Sequence, residues 1–139
     1  MRKAAIVLTA LLAAAATAPT LTAEAAVGYQ VSVTCTVPNS QPERQLAPNS
    51  CLNYIPDGTQ TYVAHVRTSS GRAAAGVTVR WTDSDARDAH FRLAQNPCTT
   101  NSSGTCQAEL KDTNPKPGEK ITITATAGGS SAKAYLTFK

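Results

Sequence analysis

Apolar residues recur at every second position along most of the chain. Val31, Val33, Cys35 and Val37 alternate with polar neighbours, and the same period runs through Tyr62, Ala64 and Val66, then Val77, Val79 and Trp81, then Phe91 and Leu93. It continues through Cys106, Ala108 and Leu110, then Ile121, Ile123 and Ala125, and finally Ala134, Leu136 and Phe138. A period of two gathers one residue class on one face of an extended strand, so these runs predict seven strands, each with one apolar face. The intervening segments PDGT, TSSG, NPKPGE and AGGSS concentrate Gly, Pro, Asn and Ser, which break regular structure. No segment carries a helical period. Seven short strands with one apolar face each bury those faces by packing two sheets together, which predicts an all-β sandwich of two antiparallel sheets.

The segment Pro38–Pro56 holds four prolines and no clean alternation, and reads as an ordered loop following the first strand. The four cysteines bear on it. Cys98 and Cys106 are equidistant from Ser102, and Asn101, Ser102, Ser103 and Gly104 supply turn chemistry, so a hairpin centred there would set the two cysteines opposite each other. Directly opposed residues of an antiparallel pair lie about 4.5–5.5 Å apart at Cα, within disulfide range. The remaining pair, Cys35 and Cys51, would tie the proline-rich loop to the first strand. Zinc is the competing use of cysteines, but His65 and His90 stand alone without ligand spacing, so no metal is expected there.

The N-terminus fixes the expected compartment. Arg2 and Lys3 precede an apolar run from Ala4 to Ala16, followed by the small-x-small site Ala23-Glu24-Ala25. This is the pattern of a secretory signal peptide over residues 1–25, with cleavage after Ala25 or, alternatively, Ala23. Pro19, Thr20 and Thr22 interrupt the run too early for the about 20 apolar residues of a membrane span. Removing residues 1–25 from the 139-residue chain leaves 114, enough for one core. Residues 26–56 are assigned to the first strand and its disulfide-tied loop, and 57–139 to the rest of one domain. Paired cysteines fit an oxidising compartment, so the product is expected to be secreted and extracellular.

Four stretches together resemble a known family. They are DGTQTYVAHV at 57–66, AGVTVRW at 75–81, NSSGTCQAEL at 101–110 and PGEKITITATAGGSSAKAYLTF at 117–138. In this order they are similar to the bacterial immunoglobulin-like domain, group 1, the repeat type of intimin and invasin, over roughly residues 55–138. The resemblance implies an immunoglobulin-like sandwich of about seven strands, without catalysis or cofactor, used as a stalk or adhesive module in exported proteins. The four cysteines depart from the family's usual pattern, and Trp81 stands where Phe is commoner. A single copy is expected to bind, since it is too short to act as a spacer.

Catalytic and metal motifs do not emerge. The chain has no G-x-S-x-G elbow, H-E-x-x-H pair or phosphate loop, and His65 falls on the polar side of its strand. Asp83, Asp85 and Asp88 in TDSDARD offer oxygen ligands, but the run lacks the glycine and terminal glutamate of an EF-hand and contains Arg87. They read as solvated turn residues, and calcium is expected to leave melting unchanged.

Charge then narrows the partner. The chain carries a formal net charge of +4, which becomes +3 on loss of Arg2, Lys3 and Glu24. Arg67, Arg72, Arg80, Arg87 and Arg92 lie in one stretch free of lysine. Arg67, Arg80 and Arg92 alternate with core positions and are therefore candidate binding residues, their guanidinium forks matching carboxylate or phosphate groups. The expected partner is an acidic envelope polymer, glycan or surface protein; nucleic acid is not expected, nor is a membrane span, and the product should be a monomer. A small ligand carrier or a hydrolase inhibitor is the competing reading. Only 5% of residues are aromatic, which weighs against an apolar carrier cleft, while the 38–56 loop suits an inhibitor.

Overall fold

A computed structural model describes residues 28–55, 58–85 and 87–139. The expected signal peptide lies outside the described residues. All seven predicted strands form: β1 (Tyr29–Thr36), β4 (Thr59–Thr68), β5 (Thr78–Asp83), β6 (Ala89–Phe91), β8 (Thr105–Asp112), β9 (Lys120–Ala127) and β10 (Ser130–Phe138). Three short strands join them: β2 (Gln45–Ala47), β3 (Ser50–Asn53) and β7 (Cys98–Thr99). They form a four-stranded sheet in the order β1-β4-β8-β6 and a six-stranded sheet in the order β2-β3-β10-β9-β5-β7. The alternating residues meet between the sheets, where Tyr62, Val66, Val79, Leu110, Ile121, Ile123, Leu136 and Phe138 are fully buried. Trp81 packs on Phe91 with ring centroids 5.6 Å apart and the rings tilted by 35°, within the range of favourable aromatic pairs.

Several expectations are corrected. The 38–56 segment is not wholly loop. It holds a 3-10 turn over Pro42–Arg44 and the strands β2 and β3. β3 pairs in parallel with β10, so the six-stranded sheet is mixed and not purely antiparallel. The alternation of β3 was hidden because its second buried position is polar: Asn53 is buried, donating through Nδ2 to the Thr59 carbonyl at 2.7 Å.

Leu93 does not continue the core face of β6. That strand ends at Phe91, and Leu93 opens a 3-10 turn with 92% of its surface exposed. The turn brings Gln95 back to β8, where its Oε1 accepts the Glu109 N–H at 2.9 Å, so a side chain takes over the pairing that the strand abandons.

Candidate functional site

Both expected disulfides are closed, Cys35–Cys51 with Cα atoms 6.2 Å apart and Cys98–Cys106 at 6.0 Å. The hairpin behind the second is not formed. β8 pairs with β4 over Thr105–Lys111 and with β6 over Leu110–Asp112, while β7 pairs with β5, Cys98 facing Val79. Cys106, opposite Ala64 in the four-stranded sheet, therefore bridges to the other sheet. Cys35 on β1 and Cys51 on β3 also join the two sheets. The turn itself is present, with the Gly104 N–H donating to the Asn101 carbonyl at 2.9 Å. Gly104 has φ +72°, and a Cβ there would collide with the Val66 carbonyl oxygen and come within 2.9 Å of the Ala74 nitrogen, so only glycine fits. Trp81 Nε1 points at the bridge, donating to Cys98 Sγ at 3.1 Å.

The three candidate arginines are all exposed but do not share a surface. Arg67 projects from the outer face of the four-stranded sheet and donates through Nη1 to the Gly71 carbonyl at 3.0 Å. Arg92, just beyond β6, lies level with Glu109, itself opposite Thr61 of β4. Six residues of strand, about 20 Å, separate that level from Arg67. Arg92 also forms a salt bridge with Glu109. Arg80 stands on the other sheet, opposite Thr126 of β9.

The outer face around Arg80 is the distinctive one. From β5 it presents Thr78, Arg80 and Thr82; from β9, Lys120, Thr122, Thr124 and Thr126; and from β10, Ser131, Lys133, Tyr135 and Thr137. Thr124 is flanked by Thr82 on one side and Lys133 on the other, and Tyr135 is 43% exposed. The described strand residues on this face include no carboxylate. Periodicity alone could have found it, since the same alternation that marks the core also marks the outward set. The arginines cluster in one stretch of sequence, whereas this face draws its cations from three strands far apart in the chain.

His65 is half-buried on the outer face of the four-stranded sheet, with Nε2 3.0 Å from Thr34 Oγ1, and His90 is exposed. A cleft of about 370 Å³ lies beside Arg44, Gln60 and Asn53. Gln60 Nε2 already donates to the Thr36 carbonyl at 2.7 Å and Asn53 Nδ2 to Thr59, so these amides hold the chain's own backbone. Arg44 donates to the Leu52 carbonyl and to Gln41 Oε1, and stacks over Tyr54.

The TDSDARD aspartates part company. Asp88 turns toward Lys116, with Oδ2 4.0 Å from Nζ. Asp85 instead meets two residues distant in sequence, Asp112 and Glu119, and one carboxylate oxygen from each lies within 4.8 Å of the others. Burial pushes the neighbouring Asp83 carboxyl above the ordinary carboxylate range; a hydrogen bond from the Asp85 N–H opposes that, and the charge of Asp85 reinforces it.

No curated protein matches the chain. Among solved structures, the crystal structure of the S-layer protein SbsC domains 4 and 5 is similar at 13% identity with a TM-score of 0.47. The match covers 64% of this chain and 45% of that one, so this chain spans less than half the length of that structure. The model of the bacterial Ig-like domain (group 1) matches residues 53–139, more than half of the chain. With its two-sheet sandwich and the matched strands β4 to β10, the chain belongs to the bacterial Ig-like domain family, group 1.

Proposed function

We propose that the chain is an exported, non-catalytic immunoglobulin-like module that binds an acidic polymer of a cell envelope through the outer face of its six-stranded sheet. The observation that carries this reading is the placing of Arg80 and Lys133 two residue levels apart, with the exposed Tyr135 beyond Lys133, on a face whose described strand residues bear no carboxylate; Lys120 lies farther along the same face. Strands about 4.8 Å apart present such a face as a flat, regular array. The cations attract an anionic chain, and the threonine hydroxyls both donate and accept hydrogen bonds. Tyr135 adds a flat amphipathic ring suited to contact with a partner. Export is supported by the N-terminal basic and apolar run and by the two disulfides. Of the arginines expected to bind, Arg80 keeps that role; Arg92 is engaged by Glu109 and Arg67 by a backbone carbonyl.

Chromatography on an immobilised acidic polysaccharide tests the reading. Retention should be clear at low salt and fall steeply toward physiological ionic strength, where the screening length shortens to about 8 Å. Arg80→Ala combined with Lys133→Ala should weaken retention without lowering Tm, while Arg67→Ala combined with Arg92→Ala should weaken it less. Retention insensitive to salt, or unchanged in the Arg80/Lys133 pair, would remove this face from the function.

A further inference from the structure

At one end of the sandwich, the β5–β6 connection, the end of β8 and the start of β9 converge. Their residues Asp85, Asp112 and Glu119 come from three separate segments, and an oxygen of each carboxylate lies within 4.8 Å of the other two. No ion pair among the described residues involves any of the three. Lys116 Nζ lies 4.0 Å from Asp88 Oδ2, and the Lys116 N–H donates to Glu119 Oε2 at 2.9 Å. Three carboxylates so placed repel one another when ionised, and a cation between them would relieve that repulsion.

A second observation concerns how one of them is buried. Asp112 is only 3% exposed. Its Oδ1 accepts the Asn114 N–H at 2.8 Å, but its Oδ2 is fully buried without a hydrogen-bond partner among the described residues. A buried carboxylate oxygen left unpaired is strongly unfavourable, and native structures satisfy such atoms with a donor or a cation. The backbone fixes this arrangement, since the Asp112 N–H donates to the Gly58 carbonyl at 2.6 Å and the strand cannot turn the side chain outward. A Cβ on Gly58, at φ +57°, would come within 2.6 Å of the Asp112 carbonyl oxygen, so the approach depends on glycine.

We propose that Asp85, Asp112 and Glu119 form a calcium site that ties the β5–β6 connection to β8 and β9. Oxygens that share one calcium each lie at about 2.3–2.6 Å from it, so two of them are at most about 5 Å apart, which accommodates this trio. Three carboxylates, each binding through one or both oxygens, supply about half of the 6–8 ligands calcium takes, with water completing the shell at the two half-buried residues. Magnesium demands a tighter octahedron at about 2.0–2.1 Å and gives up its water reluctantly, so the set favours the larger ion. The sequence offers calcium only Asp83, Asp85 and Asp88, which lack the glycine and glutamate of an EF-hand, so the expectation of unchanged melting gives way to this site. Two of the three ligands here come from elsewhere in the chain.

The test begins with the full chain stripped by EGTA and returned to millimolar CaCl2. Tm should rise by roughly 4–8 °C, equilibrium dialysis should find one calcium per chain, and equal MgCl2 should give a smaller rise. Asp112→Asn should abolish the response while melting no lower than wild type in EGTA. Glu119→Gln, at a half-buried position where the fold tolerates change, should reduce it, and Asp88→Asn, outside the trio, should retain it. Equal Tm in EGTA and calcium, no bound ion on dialysis, an equal response to magnesium, or a rise that survives both Asp112→Asn and Glu119→Gln would overturn the proposal.

Discussion

Tyr62 is fully buried between the sheets, and its hydroxyl has no hydrogen-bond partner among the described residues. Burial therefore pushes its pKa well above the ordinary tyrosine value. The folded chain holds that proton more tightly than the unfolded chain does. Its contribution is thus present in full below pH about 10, where a free tyrosine ionises, and is lost as the pH rises beyond it. Tyr62→Phe should match or exceed the wild-type Tm at pH 7, because a buried unpaired hydroxyl costs about 1–3 kcal/mol. The gap between variant and wild type should widen from pH 9 to 11, and thermal melts that fall in parallel over that range would contradict the assignment. At this scale the sequence marked Tyr62 as inward-facing through its period of two with Ala64 and Val66. It did not mark the unpaired hydroxyl, because partners are set by what arrives from other strands.

At the scale of elements, side chains complete what short strands leave open. β7 has only two residues, and beyond it Asn96 continues the pairing with β5: its Oδ1 accepts the Trp81 N–H at 2.9 Å and its Nδ2 donates to the Trp81 carbonyl at 2.8 Å. The amide acts as a substitute peptide group at the sheet edge. Asn96→Ala should lower stability by about 1–3 kcal/mol in urea denaturation, since two buried backbone groups of Trp81 lose their partners; a loss below about 0.5 kcal/mol would mean that water replaces the amide without cost. Gln95 serves β8 in the same way. The Gln95 device explains why Leu93 departed from expectation, as the buried Asn53 amide does for the 38–56 segment. Alternation shows which way a residue faces while the chain is extended, but not where an edge is taken over by a turn or a side chain.

For the whole molecule, the two disulfides are cross-sheet ties. Each closes a short loop, and the loop-entropy estimate gives each roughly 2.5–3 kcal/mol. Both also hold the sheets face to face, with Trp81 packed on one of them. Cys106→Ser should lower stability by about 2–4 kcal/mol while leaving any polymer binding intact at low temperature. Peptide mapping without reduction should recover Cys35 joined to Cys51 and Cys98 joined to Cys106; a peptide joining Cys35 to Cys98 would refute the connectivity.

The sequence by itself determined the fold class, the seven main strands, the core-facing set and the pairing of the cysteines. The reason is that alternation records how each strand divides between water and core; the cysteines paired as expected from their closeness in sequence, although the hairpin argued for Cys98 and Cys106 did not form. The tertiary structure alone decided which strands became neighbours. Pairing of β7 with β5 turned an expected hairpin staple into a tie between sheets, and a parallel pairing with β10 drew the proline-rich segment into the second sheet. The same assembly placed Arg80 on a face away from Arg67 and Arg92, and brought Asp85 to Asp112 and Glu119. Such choices are made between distant segments competing for the same edge or pole, and no local pattern of residues encodes their outcome.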